Sequence, residues 1–148
     1  MNTVLENLIA ALGRLPSVGR KTAERMAYAL IENDKNTIKV LEKSLSDARQ
    51  LVECCSNCGY ITETSNNPCS ICLSSDRDST ILCIVESSKE VNRIEELKFY
   101  SGKYHVLQGR ISPLHGTSSK DLSINQLLVR IKKEKIQEII FALNNDVE

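Results

Sequence analysis

The chain has 148 residues, 41% hydrophobic and 26% charged, with 19 basic and 19 acidic side chains and so no formal net charge. That balance excludes capture of nucleic acid by an overall positive field; any such contact must come from a local patch. No apolar run approaches the roughly 18 residues of a membrane span, and Met-Asn-Thr-Val-Leu-Glu at the amino terminus is unlike a signal peptide, so an intracellular protein is expected.

The first 53 residues carry helical periodicity. Val4, Leu5, Leu8, Ile9 and Leu12 predict a first helix that weakens at Gly13, and Leu15-Pro16-Ser17-Val18-Gly19 predicts a tight turn. Ala23, Met26, Ala27, Leu30 and Ile31 predict a second helix, broken at Asn33-Asp34. Ile38, Leu41, Leu45, Ala48 and Val52 predict a third. Three such helices bury little core, so this module is expected to lean on a neighbour or on a second copy of itself.

Residues 54–75 hold two Cys-x-x-Cys pairs, Cys55/Cys58 and Cys69/Cys72, separated by ten residues rich in turn formers. Four thiolates in tetrahedral array suit one structural zinc ion and leave no coordination position open for chemistry. Cys54 competes with Cys55 as a ligand, but only Cys55 has the two-residue spacing to Cys58. Cys83 lies inside an apolar run and reads as a small buried hydrophobe.

Beyond a polar connector at 76–79, Ile81-Leu82-Cys83-Ile84-Val85 predicts a buried strand. Ser87 and Glu90 predict a capping box for a helix carrying Val91, Ile94 and Leu97. Tyr104–Leu107 predicts a second strand, 108–120 a loop, Ile124, Leu127, Leu128 and Ile131 a helix, and Glu138–Leu143 a third strand. This alternation implies a parallel sheet with helices on its faces. The sheet then stops within five residues, at Glu148, and a chain cut short at its carboxyl end is the expectation.

Two further patterns bear on function. Gly19 at the start of the second helix is expected to permit positive φ and to leave backbone N–H groups open to an anion, helped by the helix dipole. Lys21 brings positive charge beside it, and Arg25 lies one turn further on the same face; together these suit a nucleic-acid phosphate. A plain corner with solvated basic residues is the alternative. Glu86 after the first strand, and Asp146 and Glu148 after the third, fall on the edge where parallel α/β sheets bind ligands. Clustered carboxylates can hold magnesium, yet loops at strand ends are often acidic without it. His105 and His115, the two histidines, have no nucleophile pattern nearby.

Leu15-Pro-Ser-Val-Gly-Arg-Lys-Thr-Ala-Glu-Arg-Met-Ala, the cysteine quartet, Ile84-Val85-Glu86-Ser87 and Tyr104-His-Val-Leu-Gln-Gly-Arg-Ile-Ser-Pro-Leu-His-Gly116 together resemble the bacterial recombination mediator family RecR. The resemblance implies an α+β multi-module chain. Its parts are a helix-hairpin-helix DNA-binding module at 1–53, a four-cysteine zinc finger at 54–75 and, at 79–148, an α/β Toprim domain with a parallel sheet, incomplete at its carboxyl end. It implies a non-enzymatic mediator that binds single- and double-stranded DNA, forms homo-oligomers, and helps RecO- and RecF-like proteins load recombinase. The setting is the bacterial cytoplasm and nucleoid, with no membrane role. Lys21 and Arg25 fall on the family's basic hairpin, with Gly19 and Arg20 beside them as further DNA-binding candidates. Asp146 and Glu148 fall in the acidic Toprim region linked to partner contact, and Glu86, at the same edge, matches the Toprim glutamate. Toprim nucleases and topoisomerases carry a glutamate and then Asp-x-Asp; here Asn144 stands at the first aspartate position. The rival readings are a truncated enzyme of that kind and a zinc-stabilised interaction module without a DNA role.

Overall fold

The computed structural model describes residues 3–32, 35–109 and 123–143, which fall into two units, Met1–Gln50 and Leu51–Glu148. The first holds α1 (Thr3–Leu12), α2 (Arg20–Glu32) and most of α3 (Lys35–Leu51). Its core is small. Ile9 packs on Ala23 and Ala27, with Leu5, Leu8, Leu12 and Val18 around them. Alanines four residues apart present one smooth stripe, so α1 can approach α2 closely. Among the described residues this core is formed by α1, α2 and the turn between them. No residue from 36 to 51 is buried, and the α3 stripe leaves Val40, Leu41 and Leu45 at 56%, 41% and 63% exposure.

The second unit opens with a hairpin that the periodicity did not reveal. Val52, read as the end of the third helix, begins β1 (Val52–Cys54), which pairs antiparallel with β2 (Ile61–Glu63). A short 3-10 turn (Thr64–Asn66) and one helical turn, α4 (Ser70–Leu73), complete the cysteine stretch.

The remainder is β3 (Asp78–Val85), α5 (Ser88–Glu96), β4 (Gly102–Val106), α6 (Ile124–Lys133) and β5 (Glu138–Ala142). All pairings are parallel, in the order β4-β3-β5. β3 is central, which is why its apolar run is continuous: both faces are covered. Cys83 and Val85 pack with Val91, Tyr104 and Val106, against Ile94 of α5. Leu82 and Ile84 pack with Leu127, against Ile131 of α6. The strand begins three residues before its apolar run because Asp78 already pairs with Gly102. The predicted capping box is formed, with the Ser87 backbone N–H donating to Glu90 at 2.8 Å. Among the described residues no helix is long and apolar enough to cross a membrane.

His105 lies on β4 and is 1% exposed. Its Nε2 sits 3.1 Å from both the carbonyl and the hydroxyl oxygen of Ser123, whose hydroxyl donates onward to the Val106 carbonyl. Among the described residues Nδ1 has no hydrogen-bond partner, so a proton there would be a buried, unsatisfied donor. Burial accordingly holds the His105 pKa below its usual value; Arg130 adds to this, against the opposing Ser123 hydrogen bond and Glu134 charge. Because the folded value lies below the unfolded one, stability is full above the unfolded pKa of about 6.5 and is lost as pH falls through the folded value. Urea unfolding should show that loss below pH ~6.5 in the parent. His105→Gln should flatten the slope; equal slopes would remove His105 from the account.

Candidate metal centre and basic hairpin

The cysteine pairs sit on two compact turns. In the first, the Gly59 N–H donates to the Cys55 carbonyl (2.8 Å) and the Cys55 N–H to the Tyr60 carbonyl (2.7 Å). Gly59 takes φ 76°, and a Cβ there would lie 2.8 Å from the Val106 carbonyl oxygen, so neither the turn nor its seat tolerates a side chain. In the second, α4 curls so that the Leu73 N–H reaches the Cys69 carbonyl at 3.1 Å.

These turns bring the sulfurs of Cys55, Cys58, Cys69 and Cys72 within 4.8 Å of one another. The Cys55–Cys72 and Cys58–Cys69 separations are 3.9 and 3.7 Å. A tetrahedron with metal–sulfur bonds of about 2.3 Å has edges of about 3.8 Å, so the quartet fits one metal ion. Cys55, Cys58 and Cys69 are buried and Cys72 is partly exposed. Cys54 is exposed and pairs across the hairpin with Ile61, outside the cluster. Cys83 is buried in the sheet core.

Thiol chemistry points the same way. Hydrogen bonds from Cys58 and Cys72 outweigh burial and hold the Cys69 thiol below its usual value. Hydrogen bonds with Cys69 and Cys72, then burial, push Cys58 up. The Cys58 hydrogen bond draws Cys72 down, but the Cys69 hydrogen bond, burial and the Cys69 and Cys55 charges prevail and raise it. One thiolate forms readily and resists its neighbours' ionisation. A divalent cation removes that conflict, and its binding releases protons.

The quartet is fastened to β4. The Val106 N–H donates to the Cys58 carbonyl at 2.7 Å, covering part of an edge that would otherwise be unpaired. Lys103 donates from Nζ to the carbonyls of Ile71 (2.8 Å), Cys72 (3.1 Å) and Ser74 (2.6 Å). Tyr60 and Ile61 reach α5, through the Tyr60 hydroxyl to Asn92 at 2.6 Å and the Ile61 N–H to Ser88 Oγ at 3.0 Å. Sequence reasoning missed Lys103. A lysine before Tyr-His-Val reads as solvent-facing, and only the fold shows what its ammonium meets.

In the first unit the Val18 N–H donates to the Leu15 carbonyl at 3.1 Å, closing the predicted turn with Pro16 in its second position. The positive φ falls on Ser17, at 64°, and Gly19 does not adopt it. The Gly19 expectation is therefore corrected. Gly19 precedes α2, its carbonyl accepts from the Ala23 N–H at 3.0 Å, and among the described residues beyond its chain neighbours nothing lies within 4 Å of where a Cβ would be. Its contribution is an uncovered backbone next to the first N–H groups of α2, which have no intrahelical acceptor. Arg20, Lys21 and Arg25 are exposed. Lys21 and Arg25, four residues apart in α2, share a helix face. Arg20 lies 3.7 Å from Glu6, a surface pair of small energy.

Glu86 directly follows β3, is half-buried, and its carbonyl accepts from the Gly109 N–H at 3.0 Å. Asp146, Glu148, Asn144 and His115 lie outside the described residues, as does most of the predicted loop at 108–120.

Residues 5–49 match the family model described as RecR, helix-hairpin-helix, and residues 80–148 the Toprim domain model. A protein of Moorella thermoacetica named Recombination protein RecR is 40% identical over 97% of this chain and 71% of its own length. Proteins of the same name from Trichlorobacter lovleyi and Staphylococcus saprophyticus are 42% and 38% identical, again over 97% of this chain, with 71% and 72% of their lengths covered.

Proposed function

The chain belongs to the RecR family of recombination proteins, and from that membership we propose that it is a non-enzymatic, DNA-binding mediator of recombinational repair. The observation that carries the DNA-binding part is the exposed pair Lys21 and Arg25 on one face of α2, beside the uncovered backbone at Gly19. Such a surface suits the phosphate backbone of single- or double-stranded DNA and reads no base. The work divides among a hairpin module at 1–53, a finger at 54–75 and a Toprim module at 79–148.

The metal is one structural zinc ion, held by Cys55, Cys58, Cys69 and Cys72. Four sulfurs select a soft, tetrahedral ion and fill its coordination sphere, so the site stabilises and does not catalyse. The protein works as a homo-oligomer, for which the uncovered α3 stripe is a natural contact. It cooperates with RecO- and RecF-like proteins, through the acidic region of Glu86, Asp146 and Glu148, in the bacterial cytoplasm beside the nucleoid.

A Toprim nuclease or topoisomerase reading is disfavoured because Asn144 stands where the first aspartate of an Asp-x-Asp pair would complete the acidic set. The test incubates the parent with supercoiled and single-stranded DNA in magnesium, following retention and strand breaks together. DNA is retained and intact if the mediator reading is right. Breaks that vanish in Glu86→Gln would overturn it.

A further inference from the structure

We propose that Lys103 is a positioning residue of the metal centre: its ammonium counterbalances the tetrathiolate charge and clamps the second cysteine turn to β4. The proposal rests on the zinc reading and deepens it.

Lys103 is 7% exposed. Its three protons go to the carbonyls of Ile71, Cys72 and Ser74, which takes up every donor an ammonium has. These carbonyls lie at the carboxyl end of α4, where a helix leaves acceptors unsatisfied and a cation is favoured. The hydrogen bonds are therefore complete, but the charge is not yet matched. Among the described residues Lys103 forms no ion pair.

Its surroundings narrow the choice of counter-charge. A cavity of about 320 Å³ is lined by Asn57, Cys72, Ser79, Lys103, Arg130 and Glu134. Among the described residues Glu134 is the one carboxylate in that wall, and it is engaged by Arg130 at 2.8 Å. Arg130 also donates to the Tyr104 carbonyl at 2.6 Å. An uncompensated buried ammonium would be expensive. Four thiolates around a divalent ion retain net negative charge, and Cys72 brings that centre to the wall Lys103 occupies. Each group thus neutralises what the other would leave buried. The metal centre and the sheet are coupled through a side chain that is not a ligand.

The test is zinc affinity of the full chain by chelator competition. Partners of metal ligands typically contribute about 10–100-fold in affinity, and Lys103→Met should lose that much. Lys103→Arg keeps the charge but replaces the compact three-donor ammonium with a planar fork, so it should lose clearly less affinity than Lys103→Met. Parent-like affinity in Lys103→Met overturns the proposal. So does equal loss in both variants, which would make the effect one of packing. Should Lys103→Met fail to fold, nitrogen-15 lysine side-chain NMR of the zinc-loaded parent decides: one ammonium protected from solvent exchange is expected, and none protected overturns. Parent protein that takes up no zinc defeats the metal reading itself, a result separable from any behaviour of the variants.

Discussion

Cys58→Ala should purify without stoichiometric zinc, and its second unit should lose cooperative unfolding. Cys58 is 1% exposed, and its carbonyl receives the Val106 N–H that ties the first cysteine turn to β4. Removing its sulfur takes one of four ligands from the ion and unsettles the turn that fastens the finger to the sheet. In small zinc modules the metal-binding free energy, roughly 10–16 kcal/mol, is folding free energy. A core truncation such as Leu82→Ala, at a fully buried position, should cost less, about 2–5 kcal/mol. Metal analysis with chemical denaturation checks the expectation. Cys54→Ser is the control. Its side chain is exposed and outside the quartet, so zinc content and stability should match the parent. Loss of zinc in Cys54→Ser would show that the wrong member of the adjacent pair had been chosen.

Charge reversal in the hairpin is the second large effect. In Lys21→Glu/Arg25→Glu, two cations on one face of α2 become anions beside an amino-terminal helix dipole that attracts phosphate. Neither side chain enters the core formed by Ile9, Ala23 and Ala27, so helix content and thermal melting should stay close to the parent. DNA affinity at moderate salt should fall by at least about tenfold, and equally for unrelated sequences, because phosphate contacts carry no sequence information. Fluorescence anisotropy with two unrelated oligonucleotides measures both points. A sequence-dependent loss would mean that the hairpin reads bases.

What the sequence disclosed followed from whether the signal was local. The cysteine pairs were legible because two-residue spacing dictates that each pair can share an ion. The capping box needed only Ser87 and Glu90, and β3 declared itself as an apolar run because both faces are covered. The misses share a different cause. Helical periodicity showed that α3 has an apolar stripe but not what covers it, and the described structure leaves Leu45 at 63% exposure. Glycine is the usual guide to positive φ, yet here the turn forces Ser17 into it while Gly19 stays outside. Val52 continued a helical pattern by spacing alone, whereas its pairing with Glu63 made it a strand. Lys103 was invisible for the same reason: its partners lie about thirty residues away in the chain, and nothing local announces a buried ammonium.

The most direct test of the account is the salt dependence of DNA affinity for the zinc-loaded parent and Lys21→Glu/Arg25→Glu. Each phosphate neutralised contributes about 0.9 to the slope of log affinity against log salt on duplex DNA. The parent should bind with a clear negative slope. In the double variant affinity should fall and the slope should flatten by about two contacts' worth. A parent that does not bind DNA, or two proteins with the same affinity and slope at every salt concentration, would contradict the placement of DNA on this hairpin.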